Sequence, residues 1–516
     1  MEQTLYEWQK ECLKLWLDNG ARGMVQAVTG SGKTRLALCA IDELERTLGR
    51  DVMVKIVTPT GALMRQWADA LQKHRNCRDK IGLRGGGRKD PTDRRYMIYV
   101  INSARYELAR QILGQLEEGK AVFLIADECH RYASGENHLI FEYLTRIDVS
   151  RTACYSLGLS ATLPSGQDEH ALAKALGPRI YTYEMSKASA MRTVCPFDLF
   201  HIALPFQKDE LEEYDDLTER LRHCWTQLRR FLPYSFSEGM TQKERFEKLR
   251  RLTGGKDKRT ARLASNYIHL TYKRKKLVCM AQARISCTEE LVCRLDPNDK
   301  ILIFGERIAQ AEELYQILYR RYPGRVGRCH SHFTEQTNRN TLECFRTGEF
   351  RILITCRSMD EGVDIPNASI GIILSGTSTQ RQRTQRLGRI IRRYDGKERA
   401  SLYYLHMEES VEDVCYLPDA GESRIFELSY DSQTKIFLNP AYDEAAWTVL
   451  NNLRLAGANQ KALSEAYRCL DIGRVRGDWM SEPETLEEQI RLASGSGIQE
   501  RNYWVCMKRV CQTRSD

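Results

Sequence analysis

Short apolar runs alternate with stretches of helical periodicity in two parts of this 516-residue chain. The runs lie at 52–57, 97–101, 121–126 and 154–159 in the first part, and at 300–304, 351–354, 370–374 and 402–405 in the second. Apolar strands that alternate with helices are typical of parallel sheets covered by helices on both faces. The pattern therefore predicts an α/β protein with two parallel-sheet domains in tandem.

Two further stretches lack the strand pattern and have a helical one. The first lies between the α/β parts and includes a basic helix at 263–285, and the second is the C-terminal part of the chain. The predicted divisions are a first α/β domain at 1–207, a basic helical insertion at 208–297, a second α/β domain at 298–420 and a helical C-terminal domain at 421–516. The sequence assigns no role to the last of these.

Positive charge is concentrated in the predicted insertion. The whole chain has a formal net charge of +9, whereas residues 241–284 contain 14 lysines and arginines and only three acidic residues. Such a concentration indicates a surface for a polyanion, although a solvated helical face gives the same pattern. The predicted nucleic-acid contacts here are Lys273, Arg274, Lys275 and Lys276.

The apolar runs and the cysteines indicate where the protein works. No run is long enough to span a bilayer, so no membrane contact is expected. The 17 cysteines include no C-x-x-C pair, which favours reduced thiols and a cytoplasmic location.

Residues 27–34, with the sequence A-V-T-G-S-G-K-T, follow a short apolar run and precede a helical pattern. A strand, a glycine-bearing loop and a helix start present backbone N–H groups that cradle phosphates. In such a loop Lys33 reaches the β- and γ-phosphates of a nucleotide, and the Thr34 hydroxyl binds Mg²⁺. The stretch therefore predicts ATP and Mg²⁺ as cofactors. The remaining predicted contacts of the loop are Thr29, Gly30, Ser31 and Gly32.

Asp127 and Glu128 come directly after the apolar run at 121–126. Beside a phosphate loop, Asp127 is predicted to hold Mg²⁺, and Glu128 is predicted to orient or deprotonate the attacking water. Gln9 lies about twenty residues before the loop, and its amide has the geometry to pair with the adenine N6/N7 edge.

The second α/β part has no phosphate loop, but residues 385–392 are dense in basic side chains. On a helix, Gln385, Arg389 and Arg392 fall on one face. Arginines presented by a second domain to a bound γ-phosphate act as arginine fingers, which are worth about 10³–10⁵ in rate. These three residues complete the predicted catalytic set.

Taken in order, these stretches resemble the motif set of the superfamily 2 DExH-type helicases and translocases. The resemblance is greatest to the group of XPB-like repair helicases and restriction-enzyme motor subunits, and it extends over about 5–205 and 298–406. It implies two RecA-like domains that close on ATP. It also implies that Gly362 and Asp364 belong to the nucleotide site.

The same resemblance implies contacts with nucleic acid. The stretch that ends in Gln66 and Trp67 is similar to a motif that touches the nucleic-acid backbone. The implied nucleic-acid contacts are Thr60, Gly85, Gly86, Asn102 and Thr355. The residues implied to couple the nucleotide site to the nucleic-acid groove are His130, Ser160 and Thr162.

The predicted function is an ATP-dependent DNA helicase or translocase that serves DNA repair, restriction or anti-phage defence. DNA is favoured over RNA because the motif variants resemble the repair and restriction branch. A partner such as a nuclease could dock on residues 421–516. The alternatives are an RNA helicase and a nucleotide-gated clamp or scaffold that acts with a partner nuclease.

Overall fold

The computed structural model describes residues 5–133, 135–149, 151–232, 236, 242–356, 368–375, 386–393, 397, 399–412, 424–432, 435–438, 483–495, 501, 504, 505 and 508. Two eight-stranded sheets organise this part of the chain. Both sheets are parallel except for one antiparallel strand at an edge of each. The prediction of two parallel-sheet domains in tandem is confirmed.

The first sheet has the strand order β4-β3-β5-β2-β6-β7-β1-β8. Its strands are β1 Arg22–Ala27, β2 Val52–Thr58, β3 Ile81–Gly85, β4 Arg88–Lys89, β5 Tyr96–Val100, β6 Ala121–Asp127, β7 Cys154–Ser160 and β8 Arg179–Tyr183. The helices of this domain are α1 Glu7–Asp18, α2 Lys33–Leu48, α3 Gly61–Arg75, α4 Ile101–Glu117, α5 Gln167–Leu176 and α6 Met185–Ala190. Apolar side chains of β2, β5 and β6 pack against helices on both faces of the sheet.

The second sheet has the order β11-β12-β10-β13-β14-β9-β15-β16. Its strands are β9 Phe197–Leu204, β10 Ile301–Gly305, β11 Val326–Cys329, β12 Ile352–Cys356, β13 Ile370–Ile373, β14 Ala400–Met407, β15 Arg424–Asp431 and β16 Ile436–Leu438. The remaining helices are α7 Lys208–Arg229, α8 Gln242–Leu252, α9 Lys258–Met280, α10 Gln282–Arg294, α11 Ile308–Arg321, α12 Glu335–Thr347 and α13 Pro483–Leu492. Among the described helices, none is both long and apolar enough to cross a membrane.

Strand β9 corrects the predicted boundary of the first domain at residue 207. It lies in the second sheet, where it pairs with β14 on one side and β15 on the other. Its buried Asp198 accepts hydrogen bonds from Arg399 and Arg424, and its buried His201 contacts Glu427. These partners are about 200 residues away in sequence. The polar residues of β9 therefore gave no indication in the sequence that the strand is buried in the second sheet.

Strands β15 and β16 correct the predicted helical C-terminal domain at 421–516. At 424–438 the chain extends the second sheet, so this domain passes the predicted boundary at residue 420. Most of the predicted domain beyond residue 438 lies outside the described residues.

The predicted basic helix at 263–285 is also wrong, because the chain turns at Ala281 and forms α9 and α10. Arg284 enforces this turn. It is fully buried and donates to the carbonyl oxygens of Val278, Leu374 and Leu405, and it pairs with the carboxylate of Glu412. Helix α10 therefore packs in the core of the second domain, and the insertion proper consists of α7, α8 and α9.

Candidate nucleotide and nucleic-acid sites

The loop between β1 and α2 has a backbone that needs its glycines. Gly30 and Gly32 have φ values of +84° and +94°, a region that side chains with a Cβ rarely adopt. Ser31 is buried, and its hydroxyl donates to the Val28 carbonyl oxygen at 2.7 Å. The loop is thus held closed on itself, with the first N–H groups of α2 directed toward its centre.

Lys33 is the first residue of α2 and lies over this loop. Its Nζ donates to the carbonyl oxygen of Ala27 at 2.8 Å and to that of Val28 at 3.3 Å. Burial lowers the pKa of the Lys33 amine, and the carboxylates of Glu128 and Asp127 oppose that shift. The ammonium group is therefore hydrogen-bonded to backbone carbonyl oxygens and lies near two acidic side chains.

Asp127 ends β6 and has both carboxylate oxygens bound. Trp67 of α3 donates its indole N–H to Oδ2 at 2.8 Å, and the Glu128 backbone N–H donates to Oδ1 at 3.1 Å. Burial, and next the adjacent Glu128 charge, raise the pKa of Asp127 to about 6. The orientation of this carboxylate is thus fixed by the protein.

Glu128 lies in a strained conformation, with a φ of +51°. Its Oε2 is buried, has no hydrogen-bond partner among the described residues, and lies 3.4 Å from Nδ1 of His130. His130 Nδ1 is also 2.7 Å from the hydroxyl of Ser160, which donates its only hydrogen to the Thr162 carbonyl oxygen. Glu128, His130, Ser160 and Thr162 form one connected polar chain.

The arginine-bearing segment of the second domain lies directly against the phosphate loop. A Cβ on Gly388 would be 1.4 Å from Oγ1 of Thr29, and a Cβ on Gly30 would be 3.2 Å from the side chain of Arg392. Arg389 is on the same helical turn, residues 386–390. The structure thus brings the side chain of Arg392, and the backbone next to Arg389, to the loop that holds Lys33, whereas Gln385, Gly362 and Asp364 lie outside the described residues.

Lys397 holds this arginine-bearing segment and was missed by sequence reasoning. The side chain is buried, and its Nζ donates to the carbonyl oxygens of Ala368 at 2.8 Å, of Arg392 at 3.3 Å and of Ile390. A lone lysine after a basic stretch gives no signal in sequence, because its partners are backbone atoms. Lysine at a helix C-terminus satisfies carbonyl groups that have no helical partner.

Gln9 is buried next to the phosphate loop. Its Nε2 donates to the Gly32 carbonyl oxygen at 3.0 Å, and its Oε1 accepts from the Tyr6 backbone N–H at 3.0 Å. The same helix stacks Trp8 on Tyr183, with ring centroids 4.6 Å apart. Gln9 therefore supports the shape of the loop in addition to the adenine contact predicted for it.

Helix starts and a glycine turn meet at the edge of the first domain. Thr60 caps α3 by accepting the Leu63 N–H at 3.3 Å, and a Cβ on Gly61 would lie 3.9 Å from the Cα of Gly86. Gly85 and Gly86 have φ values of +116° and +57°. Gly85 also abuts Val100 and Ser103 at the start of α4, whose first turn carries the exposed Asn102. Backbone N–H groups thus converge here, in a form that suits phosphates.

Thr355 corrects the predicted set of phosphate contacts. It is fully buried at the end of β12, and its hydroxyl donates to the Ile303 carbonyl oxygen at 3.3 Å. The side chain is therefore part of the sheet interior and does not present its hydroxyl to a ligand surface.

The basic run at 273–276 is largely paired with protein groups. Lys273 pairs with Glu213 of α7 at 3.2 Å, and Lys275 pairs with the buried Glu306 at 3.3 Å. Arg274 donates to Thr218 of α7, and its guanidinium lies 5.8 Å from the Tyr214 ring centre. This end of the α7–α9 hairpin, its base, is thus close to electrically balanced.

The opposite end of the hairpin carries the excess charge. In the sequence, residues 220–262 contain 13 lysines and arginines and four acidic residues, an excess as large as that of the whole chain. The described part of this range includes the end of α7, helix α8 and the start of α9, which we call the tip of the hairpin. Exposed members of this tip include Arg250, Arg251, Lys256 and Lys258. Positive charge is therefore in excess at the tip and largely paired at the predicted run at 273–276.

Two protein-family models match the two domains. The model for the type III restriction enzyme res subunit matches residues 2–165, and the model for the helicase conserved C-terminal domain matches residues 283–394. Together they cover the phosphate loop, the Asp127–Glu128 pair and the arginine-bearing segment.

Curated relatives are similar over most of the chain. DNA 3'-5' translocase XPB2 of Sulfurisphaera tokodaii is 27% identical over 402 residues, which is 76% of this chain and 79% of that protein. A Rad25 protein of Haloarcula marismortui, named as a DNA 3'-5' helicase, is 26% identical over 392 residues, or 75% of this chain. The match spans only half of the length of that second relative.

Solved structures share the fold. Saccharomyces cerevisiae Dbp5 bound to RNA and ADP BeF3 has a TM-score of 0.51 and 14% identity, with 83% of this chain and 90% of that chain covered. A fragment of an HsdR-type subunit of a type I restriction enzyme from Vibrio vulnificus also has a TM-score of 0.51, with 17% identity and coverage of 82% and 68%. At these identities the likeness establishes the architecture of two RecA-like domains.

Proposed function

We propose, because this chain belongs to superfamily 2 of the helicases and translocases, that it couples ATP hydrolysis to movement along DNA. One observation carries the proposal. The segment with Arg389 and Arg392 lies against the phosphate loop that holds Lys33, and Asp127 and Glu128 stand at the same site. A nucleotide-dependent motor needs this assembly of two domains around one phosphate site.

The first domain supplies the phosphate-binding groups. Backbone N–H groups of residues 29–32 surround the phosphates, and Lys33 exchanges its two carbonyl partners for phosphate oxygens. That exchange is favourable because a phosphate oxygen carries negative charge and attracts the ammonium group more strongly than a neutral carbonyl oxygen does. Thr34 is the second residue of α2, and we assign its hydroxyl to the same centre. Gln9 contacts the adenine from the adjacent helix.

The donor set fits Mg²⁺. The hydroxyl of Thr34 and the carboxylate of Asp127 are hard oxygen donors. Within the described ranges no three His, Cys, Asp or Glu side chains form a metal site of their own. Thr34 and Asp127 would hold the ion at the phosphate site. The ion, when bound, neutralises charge that develops on the transferred phosphoryl group.

Glu128 acts as the general base or the water-positioning group. Its Oε2 is buried with no hydrogen-bond partner in the described part of the chain, so a water can take that position. The polar chain through His130, Ser160 and Thr162 connects Glu128 to the groove side of the first domain. Arg389 and Arg392 stabilise the transition-state charge from the second domain, and we assign Gln385, Gly362 and Asp364 to the same centre.

The nucleic acid lies across the helix starts at Thr60 and Asn102 and the Gly85–Gly86 turn, and the tip of the hairpin grips it through phosphates. Lys273 and its neighbours at the base contribute only where they are released from their acidic partners. DNA is supported by the relatives named as a DNA translocase and a DNA helicase. Service in repair, restriction or defence, and a nuclease partner on residues 421–516, belong to the same proposal.

Steady-state ATP hydrolysis tests this function. The assay compares no nucleic acid, single-stranded DNA, duplex DNA and RNA, with Glu128→Gln as the blank. We expect stimulation by one DNA form and a loss of about 10²–10⁴ in the blank, the usual worth of a positioned general base. Stimulation by RNA alone would assign the protein to RNA. Tight DNA binding without hydrolysis would contradict the motor function and indicate a nucleotide-gated clamp.

A further inference from the structure

Trp67 of α3 lies between the proposed nucleic-acid edge and the nucleotide site. Its side chain is 1% exposed, so it does not touch nucleic acid as its sequence motif implies. Its indole N–H instead donates to Oδ2 of Asp127 at 2.8 Å. It is the side chain that fixes one oxygen of the carboxylate proposed to hold Mg²⁺, while the Glu128 backbone fixes the other.

The same helix begins at the proposed nucleic-acid edge. Trp67 is seven residues after Thr60, so about 10 Å of helix separates the two. Between them lies Met64, buried on the same face of α3, whose methyl group is 3.8 Å from the place where a Cβ on Gly86 would stand. Gly86, Met64, Trp67 and Asp127 thus form, in this order, a line of neighbouring residues, with Met64 and Trp67 in the same buried cluster.

This line is short and stiff enough to transmit a displacement. Met64 and Trp67 are three residues apart, which places them next to each other on the helix surface. Packed cores deform little, so a shift at the start of α3 moves the indole as a unit with its helix. The hydrogen bond to Asp127 converts that shift into a change of carboxylate orientation.

We propose, on the basis of the proposed motor function, that Trp67 is a positioning residue that orients Asp127 toward Mg²⁺ and couples nucleic-acid occupancy at α3 to the nucleotide site. Groups that orient a metal ligand from behind are typically worth about 10- to 100-fold in metal affinity. Coupling between two sites in proteins typically amounts to about 5- to 150-fold in affinity.

The test compares Trp67→Phe with the matched control Trp16→Phe. Trp16 is also 1% exposed in the first domain, and its indole N–H also donates to a buried oxygen, the Ser156 carbonyl at 2.9 Å. Each variant keeps an aromatic ring and loses one buried hydrogen bond. A general loss of packing would therefore affect both variants alike. Only Trp67→Phe also removes a hydrogen-bond partner of Asp127.

The first readout is the Mg²⁺ dependence of the affinity for a fluorescent ADP analogue, measured without nucleic acid and without turnover. We expect the half-saturating Mg²⁺ concentration to rise about 10- to 100-fold in Trp67→Phe and to stay at the wild-type value in Trp16→Phe. Equal Mg²⁺ curves for the two variants would overturn the positioning role.

The second readout is the affinity for labelled DNA with and without the Mg²⁺–nucleotide complex. We expect the ratio of the two affinities to approach one in Trp67→Phe, while DNA affinity without nucleotide is unchanged. A wild-type ratio in Trp67→Phe would overturn the coupling role. If wild-type protein shows no DNA-stimulated hydrolysis, the motor function itself fails, and the Mg²⁺ titration still decides the role of Trp67.

Discussion

Gly388 of the second domain packs directly against Thr29 of the phosphate loop, and Gly388→Ala is expected to stop the two domains from closing. The added methyl carbon would lie 1.4 Å from Oγ1 and 2.1 Å from Cβ of Thr29. A rotation of the Thr29 side chain relieves the first contact but not the second, because the Cβ is fixed by the backbone. Either the phosphate loop or the arginine-bearing segment must therefore move away.

The size of the effect follows from the cost of overpacking. Inserting one methyl group into a packed contact typically costs about 1–3 kcal/mol. If only the closed arrangement hydrolyses ATP, this cost lowers kcat about 5- to 150-fold, since 1.4 kcal/mol is a factor of ten. The nucleotide affinity is expected to change much less, because the phosphate loop lies wholly in the first domain.

The assay is DNA-stimulated ATP hydrolysis combined with binding of a fluorescent ADP analogue. Gly114→Ala is the matched control, because a Cβ on that α4 glycine meets no atom within 4 Å in the described part of the protein. Thr29→Gly in the Gly388→Ala background removes the clashing atoms, and a double-mutant cycle against Thr29→Gly alone measures the rescue. Wild-type kcat in Gly388→Ala would refute the closed arrangement as the hydrolytic state.

Two further predictions concern charge. We expect a weaker salt dependence of DNA binding when the exposed tip residues are replaced by glutamine, namely Arg250, Arg251, Lys256 and Lys258. The magnitude of the slope of log affinity against log salt should fall by about one for each lost phosphate contact, whereas Lys273→Gln at the paired base should leave it nearly unchanged. Equal slopes in the two variants would contradict the assignment of the tip. Lys55 is fully buried, and its Nζ has no hydrogen-bond partner in the described ranges; burial lowers its pKa to about 7. Because an unfolded lysine keeps its proton up to a pKa of about 10.4, the unfolded state binds more protons between pH 7 and 10, and stability should rise with pH there by up to about 1.4 kcal/mol per pH unit. Denaturant unfolding at several pH values checks this rise, which Lys55→Met should abolish.

The nucleotide site was predictable because its elements are local. The loop at 27–34 and the pair Asp127 and Glu128 follow apolar strands within a few residues, so their place at the sheet edge follows from the pattern. The strands at 197–204 and 424–431 were not predictable. Their order depends on pairing with distant strands, and polar residues such as Asp198 are buried only because Arg399 and Arg424 approach from elsewhere.

The contacts of the proposed functional residues likewise divide into those that the local sequence indicates and those that depend on distant parts of the chain. The motif that contains Trp67 was visible in the sequence, but its partner Asp127 is 60 residues away, so the direction of the indole could not be derived. The basic run at 273–276 was visible as charge, but the acidic residues of α7 that neutralise it come from another helix. Sequence patterns therefore located the charged and aromatic residues, and only the packing of helices decided which of them face a ligand.

Closure can be transmitted to the phosphate loop by a second route, which runs through the linker between the domains. The Val28 N–H donates to the Tyr183 carbonyl oxygen at 3.2 Å, and the Tyr183 hydroxyl is 2.7 Å from that of Thr193 in the linker. Two residues later, the Cys195 N–H donates to the Ile391 carbonyl oxygen at 2.8 Å, next to Arg392. The linker is thus bonded both to the loop that holds the phosphates and to the segment that carries the arginines. A displacement of the linker is therefore expected to act on both the phosphate loop and the arginine-bearing segment.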